Sequence, residues 1–300
     1  PPFRKDPPKD YMQMGLKKID APDWLVIDDT YQDFYSARAK LLRQKKNEVI
    51  QIGPEGEDAC EELLEMVVGH LVEQWPDYFE VSFKKGVKYV QNKIMNETFT
   101  LAKPYTVDPL EICARLAMED FNLLLYSPFL KEHLLVASAT LFPAGWQMRT
   151  RISHSVTSLH DPVPSWQGKV SYPVEHYFKR IKPSSLMTRS SFFIQTRKQP
   201  ETRDLADFLF IQHGKDFFAG NMSNLQPGSI VVRRERQTFR RLPRTGAVVF
   251  TVKTSLQDLE QVPREERPGL AAEIRAWPDE IGRFKGRDMW GTHVLGFCDR

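Results

Sequence analysis

A single change of hydrophobic period, near residue 130, constrains the fold more than any other feature of this chain. Before it, apolar residues recur every three or four positions. Tyr31, Phe34, Tyr35, Ala39 and Leu42 do so within 30–46, and Leu63, Leu64, Val67, Val68 and Leu71 within 58–74. Each set falls on one face of a helix. A third helix is signalled by Asp108-Pro109-Leu110-Glu111, with a capping Asp, Pro at the first helical position and Glu at the third. It is expected to run through Cys113, Leu116, Ala117 and Phe121 to about Tyr126. Beyond residue 130 the pattern turns strand-like. Residues 134–141 read as a strand, Phe142-Pro143-Ala144-Gly145 as a hairpin turn, and 146–152 as the returning strand. A helical and looped crossing follows over 153–182, broken by Pro162, Pro164 and Pro173. Three further strands are expected at 187–196, 229–242 and 246–256, with a polar insertion over 197–228. A last helix is expected over 268–277, followed by a Gly-rich tail.

This order predicts an α+β fold: a five-stranded antiparallel sheet with a helical crossing segment and a large N-terminal helical extension. A cavity is expected between the sheet and the crossing. The proline-rich stretch 1–22 reads as an extended arm. Residues 23–300 read as one domain: 23–130 mainly helical lead-in, 131–256 sheet core, 257–300 C-terminal helix and tail. Three hundred residues allow one or two domains.

Several function classes drop out. Lys and Arg number 42 against 39 Asp and Glu, a net charge of +3 that is too balanced for a dedicated nucleic-acid binder. Cys60, Cys113 and Cys298 form no CxxC pair, which argues against a disulfide framework or structural zinc and favours a reducing, cytoplasmic setting. No apolar run approaches the ~18 residues that span a bilayer. Nucleotide-binding glycine loops, the GxSxG elbow, HExxH and CxxCH are all missing. Cys298 lacks the Gly and Arg context of a thiolate haem ligand.

Two features stand out. His160 lies in Leu159-His160-Asp161-Pro162-Val163-Pro164, where the prolines stiffen the turn after it. The residues alone leave open a ligand or catalytic role and a capping role. The second feature is the charged run from Arg233 to Arg241. Alternation puts Arg233, Glu235, Gln237 and Phe239 on one face and Arg234, Arg236, Thr238 and Arg240 on the other. An edge strand armed against aggregation would look like this; so would a strand lining a polar cavity. Arg189, Ser191 and Phe193 share a parity and could line the same cavity, and Arg149 and Arg151 are further candidates for anionic groups.

In combination these segments resemble a known family. Phe142-Pro143-Ala144-Gly145-Trp146, Leu159-His160-Asp161-Pro162-Val163-Pro164, Arg233 with Glu235-Arg236-Gln237-Thr238, and Leu242-Pro243 are similar to the haem-dependent oxidative N-demethylase α-subunit-like family. So are Tyr11-Met12-Gln13-Met14-Gly15-Leu16 and Trp24-Leu25-Val26-Ile27-Asp28 with Tyr31. The resemblance implies a PAS-like haem-binding sheet and oxidative demethylation of a small amine. Dioxygen and electrons from a separate flavin/iron–sulfur reductase would drive the reaction. It implies haem b with His160 as the iron ligand. Arg151, Arg233 and Arg236 join it as cofactor-binding residues, and Arg189, Glu235 and Gln237 are implied as catalytic polar groups. The alternative it carries is a haem-based gas or redox sensor. The family tends to show Arg-x-Asn-Trp where Arg189-Ser190-Ser191-Phe192 stands, and Lys and Gly at Arg151 and Ser153, so dimethylamine itself is not implied. No nucleic-acid partner is implied, and a membrane only through an N-terminal anchor preceding the arm.

Overall fold

The first two helices form where the period places them. The computed structural model describes residues 14–198 and 204–300. Most of the expected arm, Tyr11-Met12-Gln13 with it, and 199–203 of the polar insertion lie outside the described residues. After a two-residue strand, β1 (Lys17–Lys18), α1 (Tyr31–Val49) buries Tyr31, Phe34, Leu41 and Leu42. Strand β2 (Ile50–Ile52) follows. Then α2 (Glu57–Gln74) buries the predicted stripe of Leu63, Leu64, Val67, Val68 and Leu71.

Two expectations for the lead-in fail. A small meander, β3 (Phe79–Lys84), β4 (Val87–Asn92) and β5 (Glu97–Thr100), stands where no strand is expected. Helix α3 (Pro109–Leu116) begins at its signalled cap but ends at Ala117, whose backbone is extended. Strand β6 (Glu119–Ser127) takes the rest of that segment and turns into β7 (Glu132–Ala139). Most of β6 is buried on both faces, so its residues show no alternation and a short apolar run of this kind cannot be told from helix by period.

The expected 134–152 hairpin is corrected as well. The strand partners of β7 are β6 and β2, 146–152 is not a strand, and the chain returns to β7 only at 153–155, where the Ser153 N–H donates to the Leu135 carbonyl and the Leu135 N–H to that of His154. Ala144 and Gly145 take positive φ (47° and 91°) and swing the chain out over the sheet. The crossing contains α4 (Val156–Leu159), a π-helical turn (Trp166–Val170) and α5 (Ser171–Arg180). Beyond it come β8 (Met187–Thr196), α6 (Leu205–Leu209), β9 (Ile230–Arg241) and β10 (Val248–Asp258). The C-terminus is α7 (Arg267–Ala276), α8 (Asp279–Phe284) and α9 (Arg287–Cys298), two helices more than expected. Gly286 between the last two has φ 75°, and a Cβ there would meet Phe218 at 2.2 Å, so only glycine serves.

The main sheet is therefore antiparallel with seven strands, ordered β1-β8-β9-β10-β6-β7-β2, and not five. The predicted meander β8-β9-β10 holds, with β9 central in it. One face packs Phe121, Leu123, Ala137 and Val249 against α2 and α3, and Phe192 and Val232 against the C-terminal helices. The crossing covers the other face. No helix among the described residues is long and apolar enough to cross a membrane.

The double polarity of β9 has a definite cause. Its even-numbered side straps residues 23–28 to the sheet. Arg236 donates to the carbonyls of Trp24 (3.0 Å) and Asp23, and Arg240 lies over the Trp24 ring at 4.6 Å. In the same cross-strand row, Lys253 Nζ meets Asp28 at 2.5 Å and Glu119 Oε1 accepts the Val26 N–H at 3.1 Å. Burial pushes the Glu119 carboxyl up to about 7. The folded state thus keeps a proton that the unfolded chain releases between about pH 4.5 and 7. The stability from this residue is full at low pH and lost as pH rises through 7. Glu119→Gln keeps the acceptor without the charge. It is expected to raise Tm at pH 8 by roughly 5 °C and to flatten Tm between pH 5 and 8. An unaltered pH profile of Tm in thermal melts would refute this.

Candidate active site

The cavity between sheet and crossing gives the centre of a water molecule about 290 Å³ in which to range. Its floor follows from strand register, because directly opposed residues share a face. One row runs Arg189, Gln237, Val252, Asp120 across β8, β9, β10 and β6. The next runs Phe239, Phe250, Asn122. Ser191 and Glu235 form a third pair at one end. The roof is apolar: Trp146, Val156, Leu159, Trp166 and Phe178, with His160 among them. Ile281, Phe284 and Lys285, from α8 and its end, close one side.

His160 ends α4, and its position leaves its ring one defined state. Nδ1 lies 2.8 Å from the Val156 carbonyl. A carbonyl only accepts, so Nδ1 carries the proton. Burial, foremost, holds the imidazole down to about 4, with Arg189 and Arg151 adding to the effect. At ordinary pH the ring is therefore neutral, with its lone pair on Nε2. That is the tautomer needed for metal ligation through Nε2 with a backbone carbonyl as outer partner. The ring stacks on Trp166 at 3.8 Å and 11°, and meets the edge of Trp146 at 5.4 Å.

Among the polar candidates, Glu235, Gln237 and Arg189 come together on the floor. Gln237 Nε2 donates to Glu235 Oε2 at 3.0 Å, which fixes the carboxylate of a largely buried residue. Arg233 shares their parity but does not line the cavity. Its fully buried guanidinium donates to the carbonyls of Phe142 (2.7 Å) and Leu209 (3.2 Å), and Glu235 lies 4.0 Å from its Nε. Arg236 lies on the opposite side, holding the strap. Arg151 lines the cavity, but its guanidinium donates to the Leu159 carbonyl and covers Trp146 at 4.9 Å. It therefore braces the turn that carries His160. Cys298 is buried among the C-terminal helices, where burial pushes its thiol up to about 11.

Sequence reasoning passed over Trp166 as a neighbour of His160, and Asn122, whose Oδ1 accepts from Ser138 (2.8 Å) and Thr140 (3.2 Å) on the floor. Asn122 was hidden in the segment read as helix. Trp166 sits six residues beyond His160 with nothing in the spacing to bring them together; Ser165, in the left-handed region at φ 58°, folds the chain back.

These residues fit haem on two structural grounds. A neutral imidazole with Nδ1 engaged and Nε2 unbonded among the described residues stands in the roof, and aromatic and aliphatic walls flank it. The comparison with known families agrees, for the chain matches haem-dependent oxidative N-demethylase, alpha subunit-like, over residues 15–295. That match takes in the strap, both sheets, the crossing and nearly all of the C-terminal helices, and so the chain belongs to the haem-dependent oxidative N-demethylase alpha subunit-like family.

Proposed function

We propose that the protein is a haem b oxidoreductase that removes a methyl group from a small amine, or oxidises a related polar organic substrate, with dioxygen. Electrons would come from a separate flavin/iron–sulfur reductase. The observation that carries this reading is the state of His160: neutral, protonated on Nδ1, with Nε2 available in the roof of a largely apolar cavity. Haem needs one protein ligand of this kind, since the porphyrin supplies four nitrogens. The family description, with its haem dependence and oxidative N-demethylation, supports the same conclusion, and "alpha subunit-like" supports a partner subunit. Five long strands with a helical crossing support a PAS-like origin of the sheet, extended at both edges.

When bound, haem supplies the oxygen chemistry. The chain's own groups have other work. His160 holds the iron. The roof aromatics exclude water. Glu235, fixed by Gln237, can receive the N–H of a protonated amine or hold its proton, and Arg189 contributes positive charge at the end of the neighbouring row, opposite Gln237. Arg233 and Arg151 keep the walls in place.

The test is reconstitution with haem, followed by amine turnover with dioxygen and a chemical or protein reductant. Formaldehyde release from N-methyl amines is expected. A Soret band with no turnover of any amine would favour a sensor instead. Glu235→Gln is expected to lower kcat/KM by at least about a hundredfold while leaving haem affinity unchanged. Turnover equal to that of the parent protein would remove Glu235 from the chemistry.

A further inference from the structure

We infer that Trp166 is a positioning residue that sets the plane of the His160 imidazole, and hence its rotation about the bond to a bound iron. This rests on the haem reading of the cavity.

A hydrogen bond fixes a point, not a plane. The 2.8 Å contact of Nδ1 with the Val156 carbonyl holds that nitrogen, but a hydrogen bond tolerates roughly 30° of bending, so the ring could still rock about its Cβ–Cγ bond. Trp166 removes that freedom. Its ring lies 3.8 Å from the imidazole and within 11° of parallel, close to van der Waals contact across the whole face. Any swing toward Trp166 drives Cδ2 or Cε1 into the indole. Trp146, edge-on at 5.4 Å and 62°, limits the swing on another side, and is itself covered by Arg151. Contacts from three segments thus converge on one ring.

Trp166 is held in its turn. It is 8% exposed and opens the π-helical turn, directly after Ser165 in its left-handed conformation. Ser165 Oγ donates to Glu280 Oε1 of α8 at 2.5 Å. The imidazole plane is therefore braced from the C-terminal helices through one side chain and one stack. Hydrogen-bonded outer partners typically change metal affinity 10–100-fold when removed, and a stack that fixes the same ring is expected at the lower end of that range. They also orient the ligand, which an electron paramagnetic resonance spectrum of ferric haem reports as the rhombic splitting of g.

The experiment compares haem-loaded wild type, Trp166→Leu, Trp166→Phe and Glu280→Ala. Haem affinity is taken from Soret titration and ring orientation from the g values of the ferric cyanide complex. Trp166→Leu is expected to weaken haem binding about tenfold and to broaden or split the g signals into more than one species. Trp166→Phe, which keeps an aromatic face, should restore a single spectrum near the parent's. Glu280→Ala should move g in the same direction by less. If Trp166→Leu leaves g values and affinity unchanged, or if Trp166→Phe disturbs them as much as Trp166→Leu, the inference is overturned. Should Trp166→Leu fail to fold, Glu280→Ala decides: g values identical to wild type overturn the inference. Failure of wild type itself to give a Soret band defeats the haem reading, and this inference with it. That result is distinct from a normal Soret band with an unresponsive Trp166.

Discussion

Replacing His160 by alanine is expected to abolish the Soret band of haem-reconstituted protein. Its Nε2 is the iron ligand proposed for the roof, and the Val156 bond, the Trp166 stack and the Trp146 edge contact all serve that ring. Alanine removes the ligand and leaves an apolar pocket between two indoles, so haem affinity should fall by more than about a hundredfold, exceeding the usual effect of losing an outer partner. Thermal stability should change little, because the ring is neutral and its one hydrogen bond is to the carbonyl of Val156, the first residue of a four-residue helix. His154→Ala, at an exposed site six residues before His160, is the matched control and should load normally. Equal haem content and an unchanged spectrum in His160→Ala would end the assignment of His160.

The largest effect on folding should come from Asp120→Ala. Arg38 and Asp120 are each 1% exposed, and their side chains approach to 2.9 Å. Arg38 also donates to the Met118 carbonyl at 2.6 Å, while Asp120 Oδ2 accepts the Phe142 N–H at 2.9 Å. The pair ties α1 to the start of β6 and to the segment that turns up into the cavity roof. Removing the carboxylate leaves a guanidinium in the interior without its counter-charge, a change that typically costs about 3–5 kcal/mol. For a chain of this size that corresponds to a fall in Tm of roughly 5–8 °C. Replacing both partners together, Arg38→Met with Asp120→Leu, should recover most of the loss, since neither charge then remains buried. Calorimetry of the two variants checks both statements. A loss below 1 kcal/mol in Asp120→Ala would mean that Arg38 finds another partner.

What could be read from the sequence divides along physical lines. Periods of three and four residues located α1 and α2, and the Asp-Pro-x-Glu signal located the start of α3, because caps and amphipathic stripes are local. The end of α3 could not be read. In β6 both faces are buried, so the alternation that marks a strand is absent, and Asn122 was lost with it. Parity on β8 and β9 correctly gathered Arg189, Ser191, Phe193, Glu235, Gln237 and Phe239 on one surface. It said nothing of distance along the strand, which is why Arg233 and Gln237 looked alike although one is spent on backbone carbonyls and the other faces the cavity. The family resemblance reached His160, but Trp166 comes to it only through a left-handed serine and a π-helical turn, neither of which leaves a pattern in the chain.

The two sides of β9 carry separate duties: Glu235, Gln237 and Phe239 floor the cavity, while Arg236 and Arg240 hold the strap of residues 23–28. One consequence is evolutionary. A strand whose two sides do unrelated work can change on one while the other stays fixed. The cavity floor can change at Gln237 and Phe239 without loosening the N-terminal segment, and relatives with reshaped cavities should vary there while Arg236, Arg240 and Glu235, the proposed proton-holding group, hold still. The same division gives a protein engineer a library confined to two alternating codons.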